Sequence, residues 1–158
     1  MQHKTRLIVL ALVVVGLVTC LSWPAPSYEY APVEQPATFE EFYQQRLERS
    51  TAEGARPGNE ELLVRRRRGK TPFALLYIHG FGASRAEGEA IVEPLGAEFG
   101  MNTYYLRLPG HGTNMEDHGS REFEEWVEEA EQTFAMMDRL GERIILVGTS
   151  LGALLTAR

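Results

Sequence analysis

Residues 143–158 read Arg143-Ile-Ile-Leu-Val-Gly148-Thr149-Ser150-Leu151-Gly152-Ala-Leu-Leu-Thr-Ala-Arg158. The run Arg143 to Val147 is short, apolar and rich in branched side chains, which predicts a buried strand. Leu151 onward predicts a helix. The five residues between fit the pattern G-x-S-x-G, with Gly148 and Gly152 flanking Ser150. A sharp strand-to-helix turn of this kind lifts a serine hydroxyl above a sheet, and small flanking residues avoid a clash. The helix N-terminus behind it favours developing negative charge.

Working back from that turn, strands and helices alternate. Ser120 to Leu140 predicts a helix with Phe123, Trp126, Val127, Ala130, Phe134 and Met137 on one face, glutamates at its start and Gly141 as its stop. Asn102 to Leu108 predicts a strand. Ser84 to Phe99 predicts a helix whose apolar content is Ile91, Leu95, Ala97 and Phe99, with Gly88 and Pro94 interrupting it. Phe73 to Ile78 (FALLYI) predicts a strand covered on both faces, and Glu61 to Arg67 an edge strand. Thr38 to about Ala52 predicts a helix, with Thr38 and Glu41 as a capping box. This order implies an α/β architecture with a mostly parallel sheet and helices on both faces. Ligands of such sheets bind beyond the carboxyl ends of the strands.

Two further loops stand at that end. His79-Gly80-Phe81-Gly82 follows FALLYI directly. An oxyanion hole needs backbone N–H groups converging on one point, and glycines let the chain approach a substrate. Pro109-Gly110-His111-Gly112 ends the next strand. Alone, each of these loops is an ordinary turn.

Together, HGFG, PGHG and GTSLG, each after a predicted strand, resemble the α/β-hydrolase family, in its monoacylglycerol lipase, lysophospholipase and carboxylesterase branch. The resemblance covers about Leu62 to Arg158. It implies Ser150 as nucleophile and the backbone N–H groups of Phe81 and Leu151 as oxyanion donors. It gives His79, Gly80, Gly82, Gly110, His111, Gly148 and Gly152 supporting roles that shape the loops. The implied activity is hydrolysis of a small-molecule acyl ester or lipid, with no cofactor and no metal. A peptidase or acyltransferase on the same scaffold, or a non-catalytic relative, are the alternatives.

Serine catalysis also needs a base and an acid to orient it, and in this family both follow the serine. Eight residues follow Ser150, none of them acidic or histidine. His118 lies beside Glu116 and Asp117, but acidic neighbours are common in so acidic a chain and no catalytic role is assigned to it. The expectation is that residues 38–158 are the front portion of a hydrolase domain, incomplete at its C-terminus and inactive alone. The uncovered nucleophile strand should then present an apolar edge.

Composition sets the remaining limits. The chain has 158 residues, 44% of them hydrophobic and 24% charged, an ordinary globular balance that argues against wholesale disorder. Net charge is −6, so a global basic field for nucleic acid is excluded. Cys20 is the single cysteine, which excludes an intrachain disulfide. Residues 1–23 carry Lys4 and Arg6 before an apolar run from Leu7, as a secretory signal or membrane anchor does. Leu17-Val18-Thr19-Cys20 resembles a bacterial lipobox, with Thr19 where a smaller residue is usual and Cys20 as the lipidation site. Residues 24–37, with Pro24, Pro26, Pro32 and Pro36, read as a tether. These features predict a membrane-associated body on the extracytoplasmic side, with soluble secretion as the lesser reading. Subtracting signal and tether leaves about 120 residues, short of a complete domain of this kind. Arg65 to Arg68 and Lys70 form one basic run, read as a solvated turn or as a contact for anionic lipid headgroups.

Overall fold

A computed structural model describes residues 6, 9, 12–16 and 35–157. The chain divides into two units, Met1–Ala31 and Pro32–Arg158. In the first, the described residues 6, 9 and 12–16 are helical. Among the described residues no helix is long and apolar enough to cross a membrane. Cys20 and residues 24–34 of the expected tether lie outside the described residues.

The second unit runs α1 (Phe39–Ala52), β1 (Leu62–Val64), β2 (Thr71–Ile78), α2 (Ala86–Glu98), β3 (Asn102–Leu106), α3 (Met115–Gly119), α4 (Phe123–Met136), a 3-10 turn (Met137–Arg139), β4 (Gly141–Gly148) and α5 (Leu151–Thr156). The four strands form one sheet in the order β1-β3-β2-β4. β2 is parallel to both β3 and β4, and β1 closes one edge antiparallel to β3. The parallel core brings the ends of β2, β3 and β4 to one side, which is where HGFG, PGHG and GTSLG begin.

FALLYI is apolar throughout because each face of β2 meets its own core. Ala74, Leu76 and Ile78 pack with Tyr104, Leu106, Phe39, Phe42, Trp126 and Ala130. Leu75 and Tyr77, on the other face, pack with Val92, Met101 and Tyr105. Period-two alternation along β2 thus feeds two helix layers at once. The Thr38 capping box is present: Thr38 Oγ1 accepts the Glu41 N–H at 3.1 Å, and Glu41 returns the bond to the Thr38 N–H.

Five expectations are corrected. In α2 the buried face is Gly88, Val92 and Gly96, while Ile91 is 74% and Phe99 67% exposed. Gly88, read as an interruption, and Gly96 are what let this helix lie close to the sheet. A methyl group on Gly88 would stand 2.2 Å from the Tyr77 ring, and one on Gly96 2.7 Å from Thr103 Oγ1. Second, the helix expected over Ser120 to Leu140 is shorter, Phe123–Met136 followed by the 3-10 turn, and a separate short helix precedes it. The loop holding His118 is itself a helix, α3, because Asn114 Oδ1 accepts the N–H groups of Glu116 and Asp117 at 2.9 Å. α4 then begins after Glu122, whose side chain makes its own capping box with Glu125. Third, Gly141 is no helix stop. It opens β4, where a methyl group would stand 2.5 Å from the Ala74 backbone. Fourth, Phe123 and Phe134, expected on the buried face of α4, are 41% and 50% exposed.

Fifth, RIILV in β4, expected to be buried, is not: β4 pairs with β2 alone among the described strands, so Arg143 and Leu146 are exposed and Ile144, Ile145 and Val147 half-buried. Beside β4, a groove of about 340 Å³ is lined by Leu76, Ile78, Val127, Phe134, Leu146 and Leu155.

Candidate active site

Ser150 stands exposed at the junction of β4 and α5, with φ 51° and ψ −111°. It is the one non-glycine residue with positive φ among the described residues. A serine held there carries strain of order 1–3 kcal/mol, so the surrounding packing must impose it. The packing is visible in the two glycines. Gly152 is pressed against the end of β2, where a methyl group would stand 2.0 Å from the Ile78 carbonyl oxygen. Gly148 faces Gly152, where a methyl group would meet its backbone at 2.4 Å. Thr149 N–H donates to Ile78 O at 3.1 Å and Gly152 N–H to Thr149 O at 2.8 Å, which pins both sides of the turn. Only glycine at both flanks permits this approach.

HGFG lies across the same strand end. The His79 imidazole is fully buried and fixed from both sides. Its Nδ1–H donates to Gly80 O at 2.9 Å, and its Nε2 accepts the Leu108 N–H at 3.2 Å. Both bonds require the neutral ring, and burial holds its pKa below the ordinary value. His79 therefore ties the HGFG loop to the end of β3.

A second strap joins this loop to the serine turn. Gly80 N–H donates to Glu87 Oε2 at 2.9 Å. Tyr77 Oη donates to the same carboxylate at 3.2 Å and lies 3.1 Å from Thr149 Oγ1. The Gly80 amide is thereby occupied. The N–H groups of Phe81 and Leu151 make no hydrogen bond with the described residues. Neither Glu87 nor Tyr77 was singled out from the sequence, because the strap joins residues far apart in the chain. Replacing Glu87 with alanine strands the Gly80 N–H and frees the loop. In an active polypeptide the expected result is a fall in kcat of about ten- to a hundredfold with KM little changed, the size that a small misplacement produces. Steady-state kinetics with Glu87→Gln, which keeps an acceptor, should recover part of the loss.

The third loop turns at Pro109-Gly110. His111 N–H donates to Leu108 O at 3.0 Å, and Gly110 takes φ 74°, as the glycine of a type II turn does. Trp126 Nε1 donates to Pro109 O at 3.0 Å, so α4 holds this loop. The Phe81 ring, 65% exposed, lies against His118 with centroids 4.8 Å apart and against Trp126 at 5.7 Å. Buried His111 packs edge-on to His118 at 4.4 Å. Burial, with His79 nearby, holds the His111 pKa at about 4, so its ring is neutral near pH 7. Gly82, Gly110, His111 and His118 line a cavity of about 120 Å³.

No histidine reaches the serine: Ser150 Oγ makes no hydrogen bond with the described residues. Nor do His118 and Asp117 form a dyad. Asp117 Oδ2 accepts from Thr113 and its Oδ1 from Arg121.

Beneath the third loop lies a buried ionic network that the sequence reading did not identify. Arg107, 1% exposed, donates to Ser50 Oγ at 2.6 Å, to Glu53 and to His111 O at 3.1 Å, with Glu61 at 3.5 Å. Burial pushes the Glu61 carboxyl up in pKa, while the Ser50 hydrogen bond and Arg107 pull it down. Its one sequence signal was an arginine closing an otherwise apolar strand, Tyr104-Tyr105-Leu106-Arg107-Leu108.

Residues 75–158 match the alpha/beta hydrolase family. Among characterised proteins, the chain is 31% identical over 85 residues to a thermostable monoacylglycerol lipase of Bacillus sp. (strain H-257), covering 54% of this chain and 34% of that protein. Among solved structures it is similar, at TM-score 0.53 and 26% identity, to one from work on LipS and LipT, two metagenome-derived lipolytic enzymes. That likeness covers 63% of this chain and 39% of the other. The chain thus spans about a third of the length of the curated relative it matches.

Proposed function

The chain belongs to the alpha/beta hydrolase family, and from that premise we propose that it is the nucleophile-bearing part of a serine esterase or lipase. The observation that carries the reading is Ser150 at its strained turn, with the Leu151 N–H, unpaired among the described residues, beside it and the Phe81 N–H in the strapped loop opposite. Similarity to lipolytic proteins favours acyl esters as substrates.

In this reading Ser150 Oγ attacks the ester carbonyl carbon while a general base takes its proton. The carbonyl oxygen becomes an oxyanion that accepts hydrogen bonds from Phe81 and Leu151 N–H. Collapse breaks the bond to the alkoxy group, which leaves with the proton as an alcohol. Water then attacks the acyl-serine by the same route and releases the acid. His79 and the Glu87–Tyr77 strap touch no reacting atom; they hold the two amides in place before substrate arrives. The base and its orienting acid come from outside the described residues. The apolar N-terminal run carries the body to the extracytoplasmic side, held by a membrane helix or by lipidation of Cys20.

The test is a fluorophosphonate probe applied to a polypeptide that includes the base, followed by peptide mapping. The expected adduct is on Ser150, together with turnover of nitrophenyl esters. Ester turnover with the adduct on another serine, such as Ser84, would remove this assignment.

A further inference from the structure

We propose that the turn between β1 and β2 is a docking surface for an anionic lipid bilayer. Residues 65–70 place four arginines and a lysine in six positions, within a chain of net charge −6. The structure sorts them into two groups. Arg65 is paired with Glu40 and Arg66 with Glu93. Arg67, Arg68 and Lys70 are exposed, with no carboxylate within ion-pair distance among the described residues. Three unneutralised cations side by side repel one another, and this turn supplies nothing that offsets the repulsion. An anionic surface would. A cleft of about 400 Å³ opens among these arginines, lined by Glu40 and Arg65 to Gly69.

The position of the turn selects a bilayer over other polyanions. Glu40, the partner of Arg65, is in the first turn of α1, and Arg139 Nε donates to the carbonyl of Ala37. The chain therefore enters this unit beside the basic turn. Upstream of that point the sequence leads through proline-punctuated residues 24–36 to the apolar run of residues 7–23. Thirteen extended residues span at most about 45 Å, so a membrane holding the apolar run is within reach of the turn. Basic clusters next to a membrane segment attract anionic headgroups. The rest of the unit is acidic and is repelled by such a surface, which fixes which face docks. β2 runs from this turn to His79, so the catalytic loops stand about 25 Å away at the opposite end of the sheet. Ester substrates would then reach Ser150 from the aqueous side.

The experiment is vesicle flotation of the full chain with phosphatidylcholine alone and with an equal mixture of phosphatidylcholine and phosphatidylglycerol, at low and high salt. The neutral vesicles read the apolar N-terminal run; the difference between vesicles reads the turn. At about fivefold for each free cation, the anionic vesicles should be preferred roughly a hundredfold at low salt. High salt should erase the preference. The variant R67E/R68E/K70E should lose it, while R56Q, at the other end of the sheet, should keep it. Circular dichroism checks that each variant stays folded. Equal partition of the parent chain, or a preference retained by the folded triple variant, would overturn the proposal. So would tighter binding to duplex DNA than to the anionic vesicles, which would assign the turn to nucleic acid. Loss of neutral binding with the preference intact would support it and remove only the anchoring role of the apolar run.

Discussion

Ser150→Ala is expected to lower ester turnover by at least about ten-thousandfold in an active polypeptide, because every other group at the site only assists this hydroxyl. The residual rate should stay above that in water, since the Phe81 and Leu151 amides remain. Thermal stability should not change. Alanine meets the same positive φ as serine, and Ser150 Oγ makes no hydrogen bond with the described residues that could be lost. Ser150→Gly should be equally inactive and about 1 kcal/mol more stable, because glycine accepts φ 51° without strain. Opposite movements of activity and melting temperature in the glycine variant would mark a residue held for chemistry at the expense of stability. An alanine variant that keeps more than a hundredth of the rate would exclude Ser150 as nucleophile.

Arg107→Ala is expected to destabilise the unit by about 3–5 kcal/mol, the cost of leaving a buried charge without its partner. Arg107 and Glu61 are both essentially inaccessible, and removal of the guanidinium leaves Glu61 only the Ser50 hydroxyl and the more distant Arg49 at 3.9 Å as side-chain partners, and strands the carbonyl of His111. Such a loss is a large fraction of an ordinary domain's stability. The apolar double variant R107M/E61L should lose less than either single change implies, because no charge is left buried. Urea denaturation of the two single variants and the double variant measures the coupling. A cost below about 1 kcal/mol for Arg107→Ala would show that Glu61 takes up a proton or water instead.

The strand positions were legible because parallel strands leave short apolar runs: FALLYI is covered on both faces, whereas RIILV, equally apolar, stands at the sheet edge with Leu146 exposed. The three loops were legible because close approach and tight turning demand glycine at particular places. Gly148, Gly152 and Gly110 are examples whose neighbours or dihedrals require it. What misled the reading was the same residue type elsewhere. Gly88 was read as a break in α2, yet it and Gly96 are the surface on which that helix meets Tyr77 and Thr103. A glycine's neighbours across space cannot be read from its neighbours in the chain. Ile91 and Phe99 failed for the complementary reason: apolar character alone does not say which side of a helix faces a sheet.

The sequence by itself determined the class of fold and the place of the chemistry. Both depend on local rules: the period of buried residues, and the backbone freedom that a sharp turn needs. Only the tertiary structure decided how the site is held. His79 bridging two loops, Glu87 and Tyr77 strapping the oxyanion loop to the serine turn, and Arg107 under the third loop are contacts between distant residues. Hydrogen bonds and ion pairs of this kind are set by packing, and chain spacing does not encode them. The same holds for the basic turn: its charge was plain in the sequence, but which cations are neutralised, and where the chain enters beside them, followed only from the fold.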